Sequence, residues 1–141
     1  MDFKHPFITY PRIFIFYGIF WLLFALANIL ISIFGNGEEA MYTIIHVVAF
    51  VMIYAVLGAA IWYIIKYSSL EENSVFKILV AHLTAATIIV FLWLYVGMVI
   101  NKTMQPNSAK QFNDDIAGRI FTGYIFYIFY VLLFYAINYY H

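Results

Sequence analysis

Four uninterrupted apolar runs take up most of the chain, at residues 13–34, 42–65, 78–100 and 116–139. A hydrocarbon core of about 30 Å needs about 20 apolar residues in a helix, and each run reaches that length. The first three runs hold no charge, and the fourth holds one, Arg119, near its start. The few polar interruptions are Asn28 and Ser32 in the first run, Thr43 and His46 early in the second, and His82, Thr84 and Thr87 in the third. A membrane β-barrel would show strict alternation of apolar and polar residues, which these runs lack. The intervening stretches, residues 35–41, 66–77 and 101–115, are short, so sequence neighbours pack antiparallel. The predicted fold is therefore all-α: one domain, residues 1–141, built as an antiparallel bundle of four transmembrane helices.

Composition sharpens this picture. Of the 141 residues, 66% are hydrophobic and 10% charged, whereas soluble domains run at about 45–50% and about 25%. Lys plus Arg and Asp plus Glu both number 7, so no basic surface points to nucleic acid. There is no cysteine, which removes disulfides, thiolate metal sites and thiol nucleophiles. Lys4, Arg12 and the Ala25-Leu26-Ala27 run imitate a signal peptide. No polar segment follows Asn28, however, so the first run is read as a retained span.

Orientation rests on basic residues near the span ends. With the N-terminus inside, Lys4, Arg12, Lys66 and Lys77 fall inside, against Lys102, Lys110 and Arg119 outside. The first connection carries Glu38 and Glu39 and no basic residue, as an outer loop should. The expected placement is the inner membrane with both termini cytoplasmic. The outer connections are too short for a folded domain, which needs about 50 residues or more.

Ionisable groups inside spans are functional suspects. His46 enters from the outer side and His82 from the inner side, which separates them by roughly 15 Å along the membrane normal. They cannot ligate one haem or one metal together, and a hydrogen bond to a neighbouring helix is the simpler role for each. No cofactor is expected. Arg119 follows Asp115 by four residues, on one helical face, which favours a local ion pair. Glu38, Glu39, His46, Asp114, Asp115 and Arg119 share one bilayer level, and together they form a candidate outer cluster for an ion, a lipid headgroup or a small ligand. In the fourth run Tyr124, Tyr127 and Tyr135 fall on one stripe, read as packing with an aromatic belt at the ends. Ala55 and Ala59, Ala81 and Ala85, and Gly58 mark close helix contacts. No span contains a carboxylate, and no catalytic set, metal-ligand spacing or phosphate-binding glycine loop is visible.

Several pieces keep a recognisable order. They are His5-Pro6 and Pro11-Arg12, residues 57–63 (LGAAIWY), Tyr67-Ser68-Ser69-Leu70, Ala81-His82-Leu83, Leu92-Trp93-Leu94, Gly118-Arg119, Gly123-Tyr124 and Tyr139-Tyr140. In that order the chain resembles the N-terminal membrane region of LytS/YehU-like bacterial sensor histidine kinases. The resemblance implies a non-catalytic input and dimerisation domain for two-component signal transduction, a homodimer whose candidate face on the fourth span is Gly123 with the Tyr124, Tyr127 and Tyr135 stripe. In that family a phosphoacceptor histidine and an ATP-binding domain follow, and neither motif is present here, so no catalytic residue carries over. The competing expectation is a small four-span transporter or channel working as a dimer, although exporters of that size use a carboxylate in the first span.

Overall fold

The computed structural model describes residues 4–104 and 116–140. The described residues are almost wholly helical, without a strand among them. Four helical rods are long and apolar enough to cross a bilayer: Pro11–Gly35, Ala40–Tyr67, Val75–Met104 and Ile116–Tyr140. They match the four apolar runs, the first three extended by one to four residues at each end and the fourth by one residue at its end. In lipid every backbone group must find its partner inside the segment, so a helix continues until water can take over. The protein is thus a multi-pass, four-helix membrane bundle.

The second rod is the centre of the bundle, since it packs against each of the other three. Its window is also the most buried and that of the first rod the least. Apolar character does not separate inside from outside here, because lipid tails are as apolar as leucine. What separates them is shape and hydrogen bonding. The core holds Trp21, Tyr54, Trp62, Trp93, Tyr127, Tyr130 and Phe134, which interdigitate, while Phe16, Val56, Leu83 and Leu132 face out.

The second rod is not a uniform α-helix. It runs as α-helix over Ala40–Val47, widens to a π-helical turn at Val48–Met52, and resumes at Ile53–Ala59. After Ala60 it continues over Ile61–Tyr67. A π turn inserts an extra residue and is often found at functional sites. Here it pushes the Phe50 ring into the third rod, where a Cβ on Gly97 would come within 2.6 Å of that ring. It also presents the Phe50 carbonyl to the Trp93 indole N–H, which donates to it at 2.6 Å.

At Ala60 the helix tightens instead. The Tyr63 amide donates to the Ala60 carbonyl at 3.1 Å, one residue short of the α-helical register. The Ala59 carbonyl accepts the Nε2–H of His5 at 2.8 Å. The other His5 nitrogen, Nδ1, accepts from the Phe7 amide at 3.2 Å. This bond caps a short turn, Pro6–Thr9, against the bundle. Both bonds together require neutral His5 with its proton on Nε2. The ring is 7% exposed. Burial holds its pKa below the ordinary 6.5, with the Ala59 bond opposing.

Candidate functional site

The described residues line a partly open cavity of about 590 Å³ at the end of the bundle that carries Glu38. All four rods line it. Each of three rods contributes residues four apart, which share one helical face: Phe24, Asn28 and Ser32; Tyr42, His46 and Phe50; and Gly118, Thr122 and Phe126. The third rod contributes Trp93. Volumes of this size are those of small-molecule sites, and the lining has their usual character, an aromatic body with a few converging polar groups.

Glu38 is positioned by the chain reversal after the first rod. That rod ends in a π turn, Ile31–Gly35. Gly37 then takes a φ of 69°, a left-handed conformation that glycine adopts without a steric penalty. The chain folds back so that the Glu38 amide donates to the Ser32 carbonyl at 3.0 Å. The Glu38 carboxylate accepts from the buried Thr43 hydroxyl at 3.1 Å.

Arg119 lies in the first turn of the fourth rod. Its guanidinium donates to His46 Nε2 at 3.1 Å, and its central carbon sits 4.3 Å from the Phe50 ring centroid. Arginine has no acceptor, so this bond requires His46 to keep Nε2 unprotonated. Phe50 belongs to the π turn and His46 to the α-helical turn before it. The His46 ring packs between Tyr42 and Phe50, at 5.6 Å and 4.8 Å.

Three of the residues expected to cluster are therefore brought to one cavity: Glu38, His46 and Arg119. Glu39 is placed elsewhere, as the exposed residue that precedes the second rod, where its carbonyl accepts the Thr43 amide at 3.0 Å. Asp114 and Asp115 lie outside the described residues. Among the described residues no group of three or more metal-ligating side chains converges.

His46 and His82 are bonded to different partners. His82 Nδ1 pairs with the Tyr127 hydroxyl at 2.8 Å. Its Nε2 lies 3.4 Å from the Ser68 hydroxyl.

The stripe expected at a dimer interface is used inside the protomer. Gly123 is buried against Val90 and Trp93 of the third rod, where a Cβ would stand 3.0 Å from each. The Gly123 carbonyl accepts from Tyr54 at 2.7 Å. Tyr127 is buried on His82, and Tyr124 pairs with Thr87 at 2.9 Å. Tyr135 is half-buried beside His82, with ring centroids 6.3 Å apart. The physical reason is that hydroxyls in a bilayer need partners, and the third rod supplies them to Tyr124 and Tyr127 through Thr87 and His82.

Sequence reasoning passed over Asn28, Ser32, Tyr42, Phe50 and Thr122 as site residues. The four-residue spacing of the polar and aromatic members was the available signal. No protein-family model, curated protein or solved structure matches this chain. The resemblance to sensor kinases rests on the quoted residues alone and has no support from these comparisons.

Proposed function

We propose that this chain is a non-catalytic, ligand-binding membrane input domain of a sensor histidine kinase. The observation that supports it best is the cavity lined by all four rods, with Arg119, His46 and Glu38 at its polar wall and Phe24, Trp93 and Phe126 at its apolar one. A ligand seated there touches every helix at once. It therefore shifts the helices if it binds two of their arrangements unequally. The chemistry suits a small molecule with a polar head and an apolar body.

A transporter would need a path onward from the cavity. Beyond it, Trp21 at 2% exposure and Tyr54, Tyr130 and Phe134 at 0% close the bundle. In this proposal the termini are cytoplasmic, the membrane is the bacterial inner membrane, and the unit is a homodimer. Phe121, Ile125, Ile128 and Leu132 share the face of the fourth rod that remains exposed, and that face would carry the dimer contact.

The test joins this chain to the phosphoacceptor and ATP-binding parts of a kinase of the resembled family. Filling the cavity with Thr122→Trp, or removing the charge with Arg119→Gln, should change autophosphorylation by about fivefold or more, the usual range of coupling between sites. Cysteine at Asn36 should label from outside and cysteine at Ser69 should not. Unchanged phosphorylation in both variants, or ion flux through reconstituted vesicles, would overturn the proposal.

A further inference from the structure

At the opposite end of the bundle, two hollows meet at one side chain. The first, about 170 Å³, is lined by Lys4, Thr9, Tyr10, Trp62, Lys66 and Asn138, among others. The second, about 310 Å³, is an apolar groove between the first and fourth rods, lined by Phe7, Phe16, Phe20, Phe129 and Leu133, among others. Ile137 lines both. We propose that this composite site holds one anionic phospholipid, with its phosphate at Lys4 and Lys66 and one acyl chain in the groove.

The polar hollow is built for an anion. Among the described residues its lining carries two ammonium groups and no carboxylate. The Glu38 cavity differs, because there a carboxylate and a guanidinium line the same hollow. Lys66 is held in place: its Nζ donates to the Asn138 side-chain oxygen at 2.5 Å and lies 4.7 Å over the Trp62 ring. Asn138 uses one of three ammonium N–H groups, which leaves donors for a phosphate. Thr9 and Tyr10 belong to the same lining, with the Thr9 hydroxyl donating to the His5 carbonyl at 3.4 Å. Basic pockets between helix ends at a bilayer surface attract anionic headgroups, at a benefit of about 1 kcal/mol per Lys, or about fivefold in affinity.

The groove identifies the rest of the molecule. It runs from Ile137 to Phe129 along the fourth rod, about 12 Å at 1.5 Å per residue. Its one hydroxyl-bearing residue, Tyr17, donates that hydroxyl to the Ala55 carbonyl, so the groove offers nothing polar to a soluble anion. The wall between the two hollows is the Pro6–Thr9 turn, fixed by His5 on Ala59. A free phosphate would fill only the first hollow, whereas a phospholipid fills both.

The test uses the full chain, purified in detergent and offered dioleoyl-phosphatidylglycerol, dioleoyl-phosphatidylcholine or sodium phosphate, with bound lipid counted by native mass spectrometry. One phosphatidylglycerol should be retained per chain, about tenfold or more above phosphatidylcholine. Combining Lys4→Gln with Lys66→Gln should lower its retention by about 25-fold, the product of two fivefold losses. Leu133→Trp, which fills the groove, should lower retention while the helical content stays unchanged. Leu133→Phe is the milder filler if the tryptophan variant unfolds. Equal retention of both lipids overturns the proposal, as does undiminished retention by the double Lys variant. Displacement of phosphatidylglycerol by millimolar phosphate also overturns it, since that outcome assigns the site to free phosphate.

Discussion

Around Tyr130 the hydroxyls of the bundle are paired inside a close-packed aromatic layer, whereas around Arg119 polar groups line a hollow of about 590 Å³. Both regions draw on the same residue types, aromatic rings with a few donors. In the Tyr130 layer, Tyr17 donates to the Ala55 carbonyl, and the Tyr130 hydroxyl therefore donates to Tyr17. Tyr54 donates to Gly123, and Trp21 stacks on Tyr130 with ring centroids 5.8 Å apart. Gly58 lets the rings close, because a Cβ there would lie 2.3 Å from Tyr130. In the Arg119 region Gly97 receives the Phe50 ring in the same way, but no ring stands opposite Gly118 on the cavity wall. Gly118 has nothing within 4 Å of a Cβ, and the rods stay apart. The difference teaches that a glycine draws two helices together only where a ring stands opposite it, as at Gly58 and not at Gly118.

The sharpest way to break the comparison is Tyr130→Ala. Losing a fully buried ring should cost about 3–5 kcal/mol, measured by denaturant titration in bicelles. A loss under 1 kcal/mol would mean that the layer is no better packed than the cavity.

Next is Gly58→Ala, which forces the Tyr130 ring to move. It should destabilise by about 1–3 kcal/mol. Pairing it with Tyr130→Leu should make the two effects strongly non-additive, as expected for residues in contact. Gly118→Ala, at the cavity, should change stability by less than about 0.5 kcal/mol. Similar costs at the two glycines would remove the distinction.

A smaller effect is expected at the boundary between the regions. Trp93→Phe removes the indole N–H from the Phe50 carbonyl and should cost about 1–3 kcal/mol, near the low end because the ring is retained. It should also loosen the π turn, read as faster amide exchange over residues 48–52.

The smallest effect is a pH dependence confined to the N-terminal turn. Neutral His5 is required by its two hydrogen bonds, and its folded pKa lies below the unfolded 6.5. The unfolded state therefore binds the extra proton first. The contribution of His5 is fully present above pH 6.5 and is lost as the pH falls through the lower folded value. The exchange protection of the Ile8, Thr9 and Tyr10 amides, whose N–H groups bond to His5 and Pro6 carbonyls, should fall, relative to the intrinsic rate at each pH, as the pH drops below 6.5. His5→Ala should show low protection at every pH. A pH effect on protection that persists in His5→Ala would assign the titration to another group.

The four spans, their antiparallel order and the meeting of Glu38, His46 and Arg119 at one end were all legible in the sequence. These are matters of length, charge and depth. Lipid enforces them on any chain, because an unpaired backbone group or a mid-bilayer charge is costly wherever the helices sit. The sequence could not say which face of each helix points inward. When core and lipid are both apolar, the hydrophobic pattern loses its directional meaning, so Gly123 and Tyr127 read equally well as a dimer face or as core. Only tertiary packing placed them on Val90, Trp93 and His82. It also decided the π turn at Val48–Met52 and the His5 bond to Ala59. Both arise where a helix departs from the α register and offers a carbonyl to a side chain distant in sequence. No local propensity encodes that choice, because the partner that stabilises it belongs to another part of the chain.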